Sequence, residues 1–190
     1  MKLLTGNSNK FSFIDKEYKF DNKKIKADAL ITNVKNLAIG VLTADCAPIL
    51  IYDQKLKIIS AMHAGWKGEY KEIVYKVINF FKKKGSNINN LSAVVGPCIT
   101  EKNYEIQKDF KNRFLKKNKK NSIFFKTKKN KTYYSLNNYV YNQLKLKGIK
   151  NTELVNKDTF DKKNNFFSAR RSIRNNENDY GRNISIIMIK

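Results

Sequence analysis

Two side chains in this sequence combine reactivity with scarcity. His63 is the chain's one histidine, in the run His63-Ala64-Gly65-Trp66-Lys67-Gly68, and Cys46 lies upstream in Thr43-Ala44-Asp45-Cys46-Ala47-Pro48. Thiolate and imidazole are donors that zinc favours, and a catalytic zinc usually takes three protein ligands with one position left for water or substrate. Cys46 and His63 stand 17 residues apart with a strand pattern between them, a spacing that lets neighbouring strand ends bring them together. Two ligands are not a site, and the spacing alone also suits a small buried cysteine and a hydrogen-bonded core histidine.

The surrounding pattern says what must position the pair. Short apolar runs over 28–32, 37–42, 48–53 and 57–62 read as strands, and their near-continuous apolar character suits strands covered on both faces. Cys46 then falls in the tight connection between two strands and His63 at the end of the next. Apolar residues recur at three- and four-residue intervals over 69–83, which predicts an amphipathic helix stopped at Gly85. A strand over 91–97, a helix over 105–115, a lysine- and asparagine-rich surface segment, a helix from Ser135 to Lys147 ended by Gly148, and a buried strand over 183–189 complete the reading. The fold class expected is α+β, mixed β-sheets flanked by helices. With no internal repeat or linker, residues 1–190 are expected to form a single domain.

At 190 residues the chain can bury a core without disulfide or metal staples. Cys46 and Cys98 give no disulfide framework, so reduced thiols are expected. No run approaches the roughly 20 apolar residues that cross a bilayer, and the N-terminus lacks the apolar stretch of a secretory signal, so no membrane association and a cytoplasmic location are expected. The formal charge of +23 would suit a polyanion. The excess is nevertheless dispersed lysine accompanied by asparagine, while arginine, which reads phosphate and guanine in forked geometry, is scarce. That distribution reads as a solvated surface, with no specific nucleic-acid partner.

The words around the reactive residues carry a resemblance. Ala27-Asp28-Ala29-Leu30-Ile31-Thr32, the Cys46 and His63 runs, Gly96-Pro97-Cys98-Ile99 with Asn103-Tyr104-Glu105-Ile106, and Phe166-Phe167-Ser168-Ala169-Arg170-Arg171 with Gly181-Arg182 occur in series. In order and spacing they resemble the purine nucleoside phosphorylase family once labelled multicopper polyphenol oxidase or laccase domain, the YfiH and YlmD type. The resemblance implies a zinc enzyme that phosphorolyses adenosine, inosine, guanosine and methylthioadenosine and also deaminates adenosine. A family link to peptidoglycan editing leaves a cell-wall precursor open as substrate.

The family's zinc is held by His, Cys and His. The Cys maps onto Cys46 and the second His onto His63, whereas Asn7 occupies the place of the first His. A neutral amide is a poor zinc ligand beside imidazole. The chain also starts almost at that first motif, so it is expected to lack the family's N-terminal segment. A catalytically impaired member that binds a nucleoside or a protein partner is therefore the alternative. Cys98 could stand in as a ligand, although it belongs to another family motif. The old label fails on ligand count, because even one blue-copper site needs two histidines and a cysteine. Arg170, Arg171 and Arg182 are candidates for holding phosphate, or for structural pairing. Asp45 could orient a ligand, act as a base, or hydrogen-bond at a strand end. Trp66 could stack on a purine or pack in the core. Gly65, Gly68 and Gly96 are expected at tight turns.

Overall fold

The computed structural model describes residues 2–3, 10–18, 25–66 and 72–190, and not the side chain of Leu3. Asn7, Gly68 and the first residues of the expected helix over 69–83 lie outside them. The element carrying the site is a six-stranded mixed sheet in the order β11-β7-β5-β6-β3-β2. Its strands are β2 (Phe11–Ile14), β3 (Ala29–Thr32), β5 (Ala47–Asp53), β6 (Ile58–Ala64), β7 (Leu91–Val95) and β11 (Asn151–Leu154). A second sheet pairs β1 (Lys2–Leu3), β4 (Ile39–Thr43) and β12 (Asn183–Ile187) in the order β1-β4-β12.

The apolar runs are explained by what covers them. Side chains alternate across a strand, so Ala29, Ile31, Ile49, Ile51, Met62 and Ala64 face one core together with α1 (Ile73–Lys83). Leu30, Ile59 and Ala61 face the other, against Ile39 and Val41 of β4. Both faces are dry, which is why no polar alternation appears in the sequence. Helix α1 starts after Glu72, which is left-handed at φ 64. It ends as expected: Gly85 takes φ 90, and the Ser86 amide donates to the Phe81 carbonyl, closing the last turn.

Three readings are corrected. The expected helix over 105–115 begins later: Glu105–Ile106 forms a short strand, β8, and helix α2 spans Lys108–Lys117. The lysine- and asparagine-rich stretch is more than a surface segment. It contains a hairpin of β9 (Phe125–Lys128) and β10 (Lys131–Tyr134), whose Phe125 and Tyr134 rings stack at 5.0 Å. These rings join Phe110 and Phe114 of α2, and Tyr139 of α3 (Leu136–Leu146), in one aromatic core, and the outward lysines mask that pattern. The C-terminal strand is only half covered: Ile187 and Ile189 pack against the core shared with β4, and the alternation of side chains turns Ile184, Ile186 and Met188 outward. Helix α3 stops at Gly148, φ 93, as expected. A last short helix, α4 (Ala169–Arg174), starts from Ser168, whose hydroxyl accepts the Arg171 amide.

Candidate active site

β5 and β6 are antiparallel neighbours with Pro48 opposite His63 and Ala47 opposite Ala64. That register puts the residue before β5, Cys46, beside the end of β6. Gly65 lies between the two reactive groups. A Cβ on Gly65 would stand 3.0 Å from the Cys46 Sγ and 3.7 Å from the His63 Cε1, so thiol and imidazole converge on one small space that only a missing side chain keeps open.

Asp28 fixes the histidine twice over. The His63 amide donates to the Asp28 carbonyl at 2.7 Å, and the ring Nδ1 lies 3.5 Å from the Asp28 Oδ1. Burial by itself would lower the His63 pKa. The Asp28 carboxylate and the Cys46 thiol together outweigh it, and the ring is pushed up to about 10. Asp28 was not singled out from sequence; its available signal was a carboxylate opening a buried apolar strand, where it is 2% exposed.

Asp45 adopts φ 81, and this left-handed bend turns the chain so that Cys46 leads into β5. Its carboxylate is committed on both oxygens. Oδ1 accepts the Thr159 hydroxyl at 2.7 Å and Oδ2 accepts the Arg170 amide at 2.6 Å, while its carbonyl accepts the Ile99 amide. Asp45 thus ties the Cys46 bend to the start of α4.

The arginines separate. Arg171 donates to the Thr159, Phe160 and Phe166 carbonyls, so its guanidinium holds the chain before α4 in place. Arg182 is exposed and donates to the Tyr180 and Gly181 carbonyls, with its guanidinium over the Tyr180 ring. Arg170 makes one such bond, from Nη1 to the Glu105 carbonyl, and lies over the Tyr104 ring at 5.4 Å. It borders a cavity of about 160 Å³ that reaches Cys46, and another of about 310 Å³ that reaches Trp66; Tyr104 borders both. Trp66 packs at 5.1 Å from the Phe110 ring at the core's margin while lining the larger of the two. Tyr104, to which the sequence gives no role although it stands in the Asn103-Tyr104-Glu105-Ile106 run, is held protonated by burial.

Both cysteines are free. Cys98 is 1% exposed, its thiol is pushed far up by burial, and its backbone pairs with that of Asp158. The donors at Cys46 and His63 suit zinc chemically, and a carboxylate behind the ligating imidazole is the usual outer partner that sets its orientation. With Nδ1 turned to Asp28, Nε2 is the nitrogen left for a metal. No group of three metal-binding side chains occurs among the described residues.

Comparison with known proteins gives the kinship. Residues 8–190 match the family described as multi-copper polyphenol oxidoreductase laccase, and the chain belongs to that family. A Rickettsia conorii protein named purine nucleoside phosphorylase is 37% identical over 168 residues, covering 87% of this chain and 69% of that protein. A Rickettsia prowazekii protein of the same name is 34% identical, with 77% and 61% covered. A protein of an unknown prokaryote named adenosine deaminase is 33% identical over 87 residues, 46% of this chain and 33% of that one. Among solved structures, the Bacillus licheniformis protein YfiH superposes with a TM-score of 0.77 at 28% identity, covering 87% of this chain and 62% of that chain. The expected α+β class stands with it. No helix among the described residues is long and apolar enough to cross a membrane.

Proposed function

We propose that this chain is a zinc-dependent purine nucleoside phosphorylase, acting on adenosine, inosine, guanosine and methylthioadenosine, that also deaminates adenosine. The observation that carries the reading is the convergence of Cys46 and His63 on the space above Gly65. The names borne by the relatives point the same way. Cys46 and His63 would hold the metal, which when bound supplies Lewis-acid polarisation of a water or substrate oxygen.

The chain's own residues supply the rest. Asp28 orients the His63 ring and selects which nitrogen is turned toward the metal. Arg170 is the arginine best placed for phosphate: it borders the cavity at Cys46 and spends one hydrogen bond on the protein, whereas Arg171 is committed to three carbonyls. Phosphorolysis needs a phosphate near the anomeric carbon and electrostatic support for a cationic sugar. Trp66 and Tyr104 offer aromatic surface to a purine in the neighbouring cavity.

The test is phosphate-dependent release of adenine from adenosine, run beside His63→Ala and with zinc content measured. Release that disappears in His63→Ala supports the enzyme. A rate equal in the two proteins refutes it. The impaired alternative rests on Asn7, in the place of the family's first zinc histidine. Zinc and turnover that emerge only in Asn7→His would establish it.

A further inference from the structure

Behind the Cys46 site lies a larger space that the proposed reaction does not use. Three segments each send one residue to either side: Ile99, Leu136 and Arg170 line the cavity at Cys46, and their neighbours Thr100, Ser135 and Arg171 line an open basin of about 720 Å³. The two spaces share no lining residue. A volume of that size lies within the usual range for small-molecule sites.

The basin is polar in a particular way, because several of its asparagines are held by one end and present the other, while Asn137 is engaged at both. The Asn103 amide nitrogen donates to Asp158 Oδ2 at 2.9 Å, that of Asn164 to the Asp158 carbonyl at 2.9 Å, and that of Asn138 to the Ser135 hydroxyl at 2.8 Å. Each leaves its amide oxygen without a partner among the described residues. Asn156 is the reverse: its oxygen accepts from Asn137 at 3.1 Å and its amide nitrogen is left to donate. Fixed acceptors and a fixed donor around one space match ligand hydroxyls, each of which both gives and takes a hydrogen bond.

Charge adds a second requirement. Lys102 and Lys157 border the basin, and their ammonium groups make no ion pair or hydrogen bond among the described residues. Of the nearby carboxylates Glu101 is paired with a cation, while Asp158 and Asp161 accept from neutral donors and keep their charge. Glu101 pairs with Lys126, Asp158 accepts the Thr100 hydroxyl at 2.6 Å together with Asn103, and Asp161 accepts the Lys163 amide. With Glu101 matched by Lys126, the cations Lys102, Lys157, Lys162 and Arg171 outnumber the carboxylates Asp158 and Asp161, so the basin presents net positive charge beside preorganised amides. We propose that it is a second binding site, separate from the Cys46 cavity, for a hydroxyl-rich anion of the sugar-phosphate class. Thr159 connects the two, since its neighbour Asp158 forms the basin wall and its own hydroxyl binds Asp45.

The test is calorimetric titration of the full chain with glucose 6-phosphate, glucose and inorganic phosphate. Saturable binding of glucose 6-phosphate with Kd below about 1 mM is expected, roughly tenfold tighter than either fragment alone. The exposed pair Lys102→Glu with Lys157→Glu should weaken it by about tenfold or more. Asn138→Leu should weaken glucose 6-phosphate while leaving inorganic phosphate unchanged. His63→Ala should change neither, which separates this site from the proposed catalytic one and leaves the two readings to fail independently. Absence of saturation, equal affinity for inorganic phosphate, full affinity in the lysine double variant, or loss in His63→Ala would each overturn the proposal.

Discussion

Gly65→Ala tests the geometry of the Cys46 and His63 pair with a single methyl group. Gly65 is not among the glycines with positive φ, so its backbone accepts an L-residue and the effect is confined to what the new Cβ meets. That Cβ would stand 3.0 Å from the Cys46 Sγ. Heavy atoms in van der Waals contact sit at about 3.5–4.0 Å for carbon pairs, so the sulfur must retreat by about 0.5 Å or more. The thiol is a single rotatable group at a cavity wall, which puts the stability cost at the low end of overpacking, about 1 kcal/mol. Metal ligation is less forgiving, since ligand distances hold to about 0.2 Å. Zinc affinity should fall on the order of 10- to 100-fold, as for other disturbances of a ligand's support. Competition against a chromogenic chelator reads the affinity, and thermal melting of the metal-free protein reads the stability. Zinc affinity within twofold of the unmodified chain would refute the shared space above Gly65 as a metal site.

Three further outcomes are expected. In the metal-free protein the imidazolium is retained up to about pH 10, against an ordinary 6.5, so its contribution to stability is fully present below pH 6.5 and is lost as pH rises through 10. Asp28→Asn should move the ring's NMR titration to lower pH, and an unmoved midpoint would remove Asp28 from its role; one histidine makes the assignment unambiguous. Iodoacetamide should modify Cys46 and spare Cys98 in the native chain, because Cys98 is 1% exposed with its thiol held protonated by burial. Peptide mapping that finds Cys98 modified first would contradict the packing at that position. Phe114→Ala should destabilise by about 3–5 kcal/mol in chemical denaturation. Phe114 is fully buried among Phe110, Phe125, Tyr134 and Tyr139, and a loss under 1 kcal/mol would mean that the aromatic core is not packed as described.

Much of the frame was legible because each signal was local. The four central strands follow from apolar runs, and α1 and α3 follow from three- and four-residue spacing with glycine stops at Gly85 and Gly148. Where the reading failed, exposure was decided by distant partners. The β9–β10 hairpin hides two core aromatics among lysines, and its inward face exists only because α2 and α3 close over it. Strand β12 turns Ile184 and Ile186 outward and Asn183, Ser185 and Ile187 toward the core, which nothing in its own five residues reveals.

The same division holds at the site. Residue types alone determined that a thiol and the sole imidazole are the reactive donors, that one histidine is too few for a copper centre, and that motif order places the chain in its family. Only the tertiary structure decided which partners those donors meet. Asp28, 35 residues before His63, becomes its carboxylate because β3 lies beside β6. Asp45 becomes the anchor of α4, 125 residues further on, and of the three arginines Arg170 alone borders the Cys46 cavity. Chemistry is a property of the residue, whereas orientation, burial and hydrogen-bond commitment come from contacts between segments far apart in the chain.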